Sequence, residues 1–311
     1  MIGDVFETRR LRLLLELRER GTITAVAAAL SYSPSTVSQQ LALLARQAGA
    51  PLLVAEGRRV RLTPQGEALA AHAERVLDLE EQVRGELETA RSTLGPVRVA
   101  VFQSAAHAIL PRALTLLAER QPGLRVETAE VPPEEGLFEL AARGFDLAIA
   151  EQYPGHTREH REGLERELIG RDEIRIAVGQ GDPATSLDDL RDRAWVMEPV
   201  GTASRQWAVQ QCRAAGFEPD VQFEAADLTG HVRLIASGHA VGLLPDLVWV
   251  DAPTGVRLVE LPGAPHREIF AAMRVASSAR SGPRAVCDAL RDAFAHTTAQ
   301  TVPIAARRRP A

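Results

Sequence analysis

The sequence predicts a two-part α/β protein, with a small helical head joined by one long helix to a larger region of alternating strands and helices. Three observations carry this. A chain of 311 residues is long enough for about two domains. The first ninety residues hold closely spaced helix starts and stops, and the rest alternates short β-rich runs with amphipathic helices. The composition, 45% hydrophobic and 25% charged, is that of a globular chain, and no apolar run approaches the ~18 residues of a membrane span.

In the head, Val5, Phe6, Leu11, Leu14 and Leu15 form the apolar stripe of a first helix that ends at Gly21. Thr24 is expected to cap a short second helix carrying Val26, Ala27 and Leu30, with Ala27 and Ala28 small enough for close helix approach. Ser31, Tyr32 and Ser33 suffice only for a tight turn. Ser33 then offers a capping hydroxyl, and Pro34 at the first helical position loses no needed N–H. The third helix should run to about Ala48 and stop at Gly49, with Val37, Leu41, Leu44 and Ala48 inward. This is a helix-turn-helix arrangement. Its outward residues Ser35, Thr36, Ser38, Gln39 and Gln40 suit phosphate oxygens and base edges in a major groove.

Leu52, Leu53 and Val54, then Val60 and Leu62, flank a Glu56-Gly57-Arg58-Arg59 tip. Two short strands with that tip make a wing, and Arg58, Arg59 and Arg61 can lie along a sugar-phosphate backbone. Thr63 and Pro64 start a helix that meets no breaker before about Arg91 except Gly85. Its seam of Leu69, Val76, Leu79, Val83 and Leu87 needs a partner, and self-association is the reading adopted.

Charge divides unevenly. Residues 1–62 hold nine arginines against five acidic residues, whereas residues 63–91 hold three against seven. A basic head on an acidic remainder fits an anionic polymer partner. All 36 basic residues are arginine, which excludes a P-loop, a Schiff-base mechanism and a lysine-based kinase site.

Gly95-Pro96 marks a break. Strands are then expected at 97–102, 124–130, 145–150, 173–178, 194–197, 221–224, 240–244, 256–260 and 269–273. Helices are expected at 105–120, 134–143, 203–215, 228–237 and 283–294. Such alternation implies a mostly parallel sheet flanked by helices.

The strings Thr22-Ile-Thr-Ala-Val-Ala-Ala-Ala-Leu30, Ser33-Pro-Ser-Thr-Val-Ser38, Pro51-Leu52 and Val60-Arg-Leu-Thr-Pro-Gln-Gly66 resemble the winged helix-turn-helix of LysR-type transcriptional regulators. Leu110-Pro111, Gln121-Pro-Gly123, Gly144-Phe-Asp-Leu-Ala-Ile149 and Ser237-Gly-His-Ala-Val-Gly-Leu-Leu-Pro245 extend the resemblance over about residues 5–295. The resemblance implies a two-lobed, periplasmic-binding-protein-like effector domain after the winged helix-turn-helix and linker helix. It places Pro34, Ser35 and Gln39 near bases, with Ser33, Ser38 and the wing arginines on the backbone. The family commonly has Phe at Leu53, Arg at Ala55 and Glu at Ala45; Ala55 removes a frequent backbone contact, so Arg58 and Arg59 are expected to carry more of the wing's role here.

Effector contacts are expected where strands lead into helices. Ser104 and Ala105 open one such helix, Gly201 and Thr202 a second, and Thr229 and His231 follow Asp227 in a third. Glu151 and Gln152 complete a polar cleft. The resemblance places Ser104, Thr202 and Thr229 toward the effector, and free amides at helix starts favour an anionic one.

The domains expected are therefore 1–62 (DNA binding), 63–92 (dimerisation helix) and 95–296 (effector binding), followed by a disordered tail over 297–311. Lobe 1 spans 95–169 and 267–296, and lobe 2 spans 170–266. Expected partners are double-stranded promoter DNA, a small-molecule effector, a second or fourth copy of the chain, and RNA polymerase as a further candidate. No cofactor and no membrane are expected, and the charged N-terminus places the chain in the cytoplasm.

Two alternatives stay open at this stage. His156-Thr-Arg-Glu-His160 spells H-x-x-E-H, the pattern of a zinc hydrolase, though on a short, charged stretch. A plain small-molecule binding protein is the other. Neither G-x-S-x-G nor G-x-G-x-x-G occurs, and Cys212 and Cys287 could act as a redox pair only if adjacent in space.

Overall fold

The structure is a computed structural model that describes residues 5–57, 59–91, 94–156, 161, 163–250, 255–278 and 280–301. The chain forms two compact units: residues 1–92 with 276–280, and residues 93–275 with 281–311.

In the first unit, α1 (Thr8–Arg20), α2 (Ile23–Ala29) and α3 (Pro34–Ala48) precede a hairpin of β1 (Leu53–Glu56) and β2 (Arg59–Leu62), then α4 (Pro64–Arg91). Gly21 and Gly49 end α1 and α3 in the left-handed conformation, which glycine adopts without a Cβ clash. Leu11, Leu14, Leu17, Val26, Val37 and Leu44 form the centre of the core. Val5, expected in the stripe, is instead exposed, while Phe6 packs edge-on against His72. The cap of α2 is Thr22, not Thr24: its hydroxyl accepts the N–H of Ala25, because the helix begins directly after the Gly21 stop. Ala28 is exposed.

The seam on α4 divides. Leu69, Ala70, Ala73 and Leu77 close the core of this unit, whereas Leu79, Val83 and Leu87 are exposed one turn apart. Thr63 caps α4 by accepting the Gly66 N–H at 3.0 Å and donates its own hydroxyl to the Pro51 carbonyl at 2.7 Å.

The second unit has a seven-stranded sheet in the order β10-β6-β11-β5-β3-β4, with β9 also on β6. Its strands are β3 (Val97–Val101), β4 (Val126–Glu130), β5 (Leu147–Gln152), β6 (Leu164–Gly179), β9 (Gly242–Pro245), β10 (Val256–Val259) and β11 (His266–Arg274). Only β4-β3-β5 are parallel there; β11, β6, β9 and β10 pair antiparallel, which corrects the mostly parallel expectation. A separate parallel pair joins β7 (Ala194–Met197) to β8 (Asp220–Glu224).

Two lobes have separate cores. Val99, Ile149 and Ile269 meet α6 (Leu110–Arg120) and α10 (Ser281–Thr301), while α7 (Pro133–Ala141) covers the opposite face. In the other lobe Ile174, Ile176 and Trp195 meet α8 (Ala203–Ala214), and Ala177 and Leu244 meet α9 (Leu228–Ala236). The 16-residue β6 runs through both: Leu164–Glu173 pairs with β11, and the stretch from Ile174 pairs with β9 and β10.

The first half of β6 went unread in the sequence because an extra residue, Ile169, opposite the Ile269–Phe270 step breaks the alternation of β6, and Leu168 is exposed. The helix expected over 105–120 is interrupted at Ile109, giving α5 (Gln103–Ala108) and α6, since Pro111 has no N–H to continue the ladder. Residues 297–301, expected as the start of a tail, are helical. Helix α10 continues to Thr301, and the buried Thr297 hydroxyl donates to the Ala108 carbonyl at 3.3 Å. Residues 302–311 lie outside the described residues.

A Cβ on Gly66 would stand 2.2 Å from the Leu52 carbonyl oxygen. Gly66→Ala should therefore lower the unfolding free energy by roughly 1–3 kcal/mol in urea titration, despite alanine's better helix propensity.

Candidate functional site

Each unit carries one group of the residues singled out above. In the first, Ser33 Oγ accepts the N–H of Thr36 at 3.1 Å and lies 2.8 Å from the hydroxyls of Ser35 and Thr36. Pro34 follows at the helix start, and the first turn has no acidic residue, so nothing opposes the positive end of the helix dipole. Ser35, Ser38 and Gln39 are exposed, Thr36 is half-buried, and Val37, Leu41 and Leu44 anchor the other face. Gln40 is a brace rather than part of the outward surface. Arg10 Nε donates to its Oε1 at 3.0 Å, and Arg10 Nη1 donates to Gln47 Oε1 at 2.9 Å.

The wing turns at Gly57 (φ +61°), where Glu56 pairs with Arg59 across the hairpin. Arg59 and Arg61 are exposed, and the Val60 N–H donates to the Gly21 carbonyl at 3.1 Å, tying the wing to the end of α1. Arg58 lies outside the described residues.

In the second unit the organising group is Arg267, at the start of β11 and only 2% exposed. Its Nε and Nη2 donate to Asp172 Oδ2 at 2.9 and 2.7 Å, Nη1 donates to Glu151, and Nη2 also reaches Ser104 Oγ at 2.7 Å. The guanidinium stands over the Phe102 ring at 5.3 Å. Asp172 Oδ1 accepts the Leu247 N–H at 3.1 Å, so one node ties β5, β6, β11 and α5 to the start of the short helix Asp246–Trp249. Burial pushes the Asp172 carboxyl up to about 6 against the pull of Arg267.

Beside this node is a small cavity of about 30 Å³, room for roughly two waters, whose polar lining is Tyr153, Glu198, Ser204, Arg205, His231 and Arg267. Burial raises Glu198 to about 7, with Glu151 adding to the rise and Arg267 opposing it. His231 is buried and its ionisation is lowered, first by burial. Its Nε2 donates to the Ala225 carbonyl at 2.8 Å, and Nδ1 meets no partner among the described residues. At the edge, Gln103 Nε2 donates to Asp227 Oδ1 at 2.8 Å and its Oε1 accepts the Leu228 N–H at 2.9 Å. These two bonds link the start of α5 in one lobe to the start of α9 in the other.

The expected effector residues are thus brought together only in part. Ser104 and Glu151 hold Arg267, and His231 lines the cavity. Ala105 is fully buried in the core of its lobe, a correction, because the first turn of α5 faces the sheet there. Gln152 instead borders a shallow groove with His266 and Glu268. Thr202 caps α8, accepting the Arg205 N–H at 3.4 Å and donating to the Pro199 carbonyl at 2.9 Å, while Gly201 before it is exposed at φ +100°. It is their neighbours Ser204 and Arg205 that reach the cavity. Thr229 is exposed, its N–H held by Asp227 at 2.8 Å.

Sequence reasoning missed Arg267, Asp172, Tyr153 and Glu198. Arg267 meets its partners across separations of 95, 116 and 163 residues, so no local pattern announces it. Glu198 was findable: it directly follows the end of β7, as Glu151 sits near the end of β5.

Cys212 and Cys287 belong to the cores of different lobes, and burial pushes their thiols up to about 12 and about 11. Among the described residues no cluster of three metal-ligating side chains occurs, and residues 157–160 of the H-x-x-E-H stretch lie outside them. No helix of the described residues is long and apolar enough to cross a membrane.

Residues 8–67 match the family model for the bacterial regulatory helix-turn-helix protein of the lysR family, and residues 90–295 match that for the LysR substrate binding domain. The transcriptional dual regulator GltC of Bacillus subtilis is 27% identical over 254 residues, 79% of this chain and 82% of that protein. A probable hydrogen peroxide-inducible genes activator of Mycobacterium avium is 29% identical over 245 residues, 76% of each. In fold, a full-length OxyR variant from Pseudomonas aeruginosa superposes with a TM-score of 0.67 at 19% identity, over 93% of this chain and 95% of that one.

Removing the Arg267 guanidinium strands two buried carboxylates. Arg267→Ala should cost roughly 3–5 kcal/mol of unfolding free energy near neutral pH, measured by urea denaturation. The loss should shrink as pH falls through about 6, because protonation of Asp172 then relieves part of the uncompensated charge.

Proposed function

The chain belongs to the LysR family of bacterial transcriptional regulators, and from that premise we propose how its parts divide the work. It is a regulator and not an enzyme, with a helix-turn-helix domain for DNA and a substrate-binding domain for a small effector. Regulators of this family bind promoter DNA and small-molecule effectors and are typically oligomeric. The observation that carries the assignment to this chain is α3, capped by Ser33, with Ser35, Ser38 and Gln39 exposed on a helix whose far face is anchored in the core.

In this reading α3 enters the major groove, with Pro34, Ser35 and Gln39 toward base edges and Ser33, Thr36 and Ser38 toward phosphate. Arg58 and Arg59 on the wing supply phosphate contacts that position the helix. The exposed Leu79, Val83 and Leu87 of α4 pair with the same stripe of a second copy, giving a homodimer that can double into a tetramer on two half-sites. RNA polymerase is the partner through which such a regulator acts, and the cytoplasm, where promoter DNA lies, is its compartment.

The effector enters between the lobes beside Arg267, meeting the residues around Ser104, Glu151 and His231, with Gln152, Gly201, Thr202 and Thr229 at its rim. Binding acts by favouring one lobe arrangement over another, and a ligand indifferent to the two would change nothing. Noncovalent binding is the mode assigned, since both thiols are buried and held protonated.

Gel retardation of the DNA upstream of its own coding region tests the groove assignment. Gln39→Ala should cost roughly 1–3 kcal/mol and relax specificity at one base pair, whereas Arg59→Ala should weaken all sequences alike and reduce the salt slope by about 1. Unchanged specific binding in both variants would defeat the assignment. Leu79→Glu with Val83→Glu should convert the dimer to monomer in analytical ultracentrifugation.

A further inference from the structure

The sequence pointed to an anionic effector, yet the cavity beside Arg267 has the opposite character. Its two arginines are already matched: Arg267 by Glu151 and Asp172, and Arg205 by Glu224. The helix starts are satisfied from within as well. The Ser104 hydroxyl accepts from Arg267, and the Thr202 hydroxyl accepts the Arg205 N–H. The acceptors that remain open belong to Glu198 and His231, and the Tyr153 hydroxyl beside them can accept as well as donate. The Glu198 carboxylate has no ion pair or hydrogen bond among the described residues, and the buried His231 lines the cavity with its Nδ1 lone pair unmet.

An anion would enter beside a carboxylate with no cation left to receive it. A donor would satisfy a buried acceptor, whose isolation is costly. Val196, Met197, Leu243 and Leu244 supply an apolar wall. The volume, about 30 Å³, suits a small head group such as an ammonium with its first methylene.

We propose that this cavity receives the primary ammonium group of a small cationic effector, its N–H donors shared between Glu198 and Nδ1 of His231. The proposal rests on the reading of the cleft as the effector site. The chain attached to the ammonium runs along Met197, Leu243 and Leu244.

A matched trio of probes tests it on the full-length protein: butylamine, butyrate and butanol, each at about 10 mM in a thermal melt. Butylamine should raise the melting temperature by about 2 °C and the other two should not. Glu198→Gln, which keeps size and removes charge, should abolish the butylamine shift, and Ala208→Trp, which fills the cavity, should do the same. A shift with butyrate or butanol alone, lost in Ala208→Trp, overturns the ammonium assignment and leaves the cleft as the effector site. A butylamine shift that survives Glu198→Gln, or no shift with any probe, also overturns it. A butylamine shift that survives Ala208→Trp overturns the cleft itself.

Discussion

A guanidinium withdrawn almost completely from water has to be answered by charge, and the second unit is arranged around that requirement. Arg267 collects Asp172 from the neighbouring strand, Glu151 from the end of β5, and the Ser104 hydroxyl from the start of α5. Asp172 in turn holds the Leu247 amide. Such a cluster is weak evidence for stability, because desolvation offsets much of the attraction. Its consequence is geometric. Elements from both lobes meet at one satisfied centre, where β6 and β11 cross between them, and the neighbouring Glu198 and His231 line the cavity beside it.

The contrast with the Gln103 contact is instructive. Gln103 also joins the lobes, through Asp227 and the Leu228 amide, but it does so at the exposed edge and without charge on its own side. Hydrogen bonds at a solvated edge exchange with water at smaller net cost than a buried charge cluster incurs when it is broken. The buried node is therefore the fixed point and the Gln103 contact is the part that can release. An effector entering beside Arg267 would act on the balance between them.

Legibility followed the range of the interactions. The head was readable because its signals are local: the Ser33 cap, Pro34 after it, and Gly21 and Gly49 as stops all act within one turn. Even there Thr22 displaced Thr24 as cap, since an apolar stripe does not say which of two threonines begins the helix. The α4 seam was seen whole although it serves two purposes, because periodicity records that a face is apolar and not what covers it. In the second unit, register decides more than composition. The β6 bulge hid half a strand, and the Ala105 position read as a cleft contact proved to be core. Arg267 was invisible for the same reason: its partners come from three distant segments and meet only in the folded sheet.

Hydrogen–deuterium exchange resolved at two amides tests this division most directly. The Leu247 amide, held by Asp172 inside the charged node, should exchange as slowly as the central strand β5, while the Leu228 amide, held by Gln103 at the edge, should exchange at least tenfold faster. If Leu247 exchanges as rapidly as Leu228, the node around Arg267 is not the fixed point between the lobes.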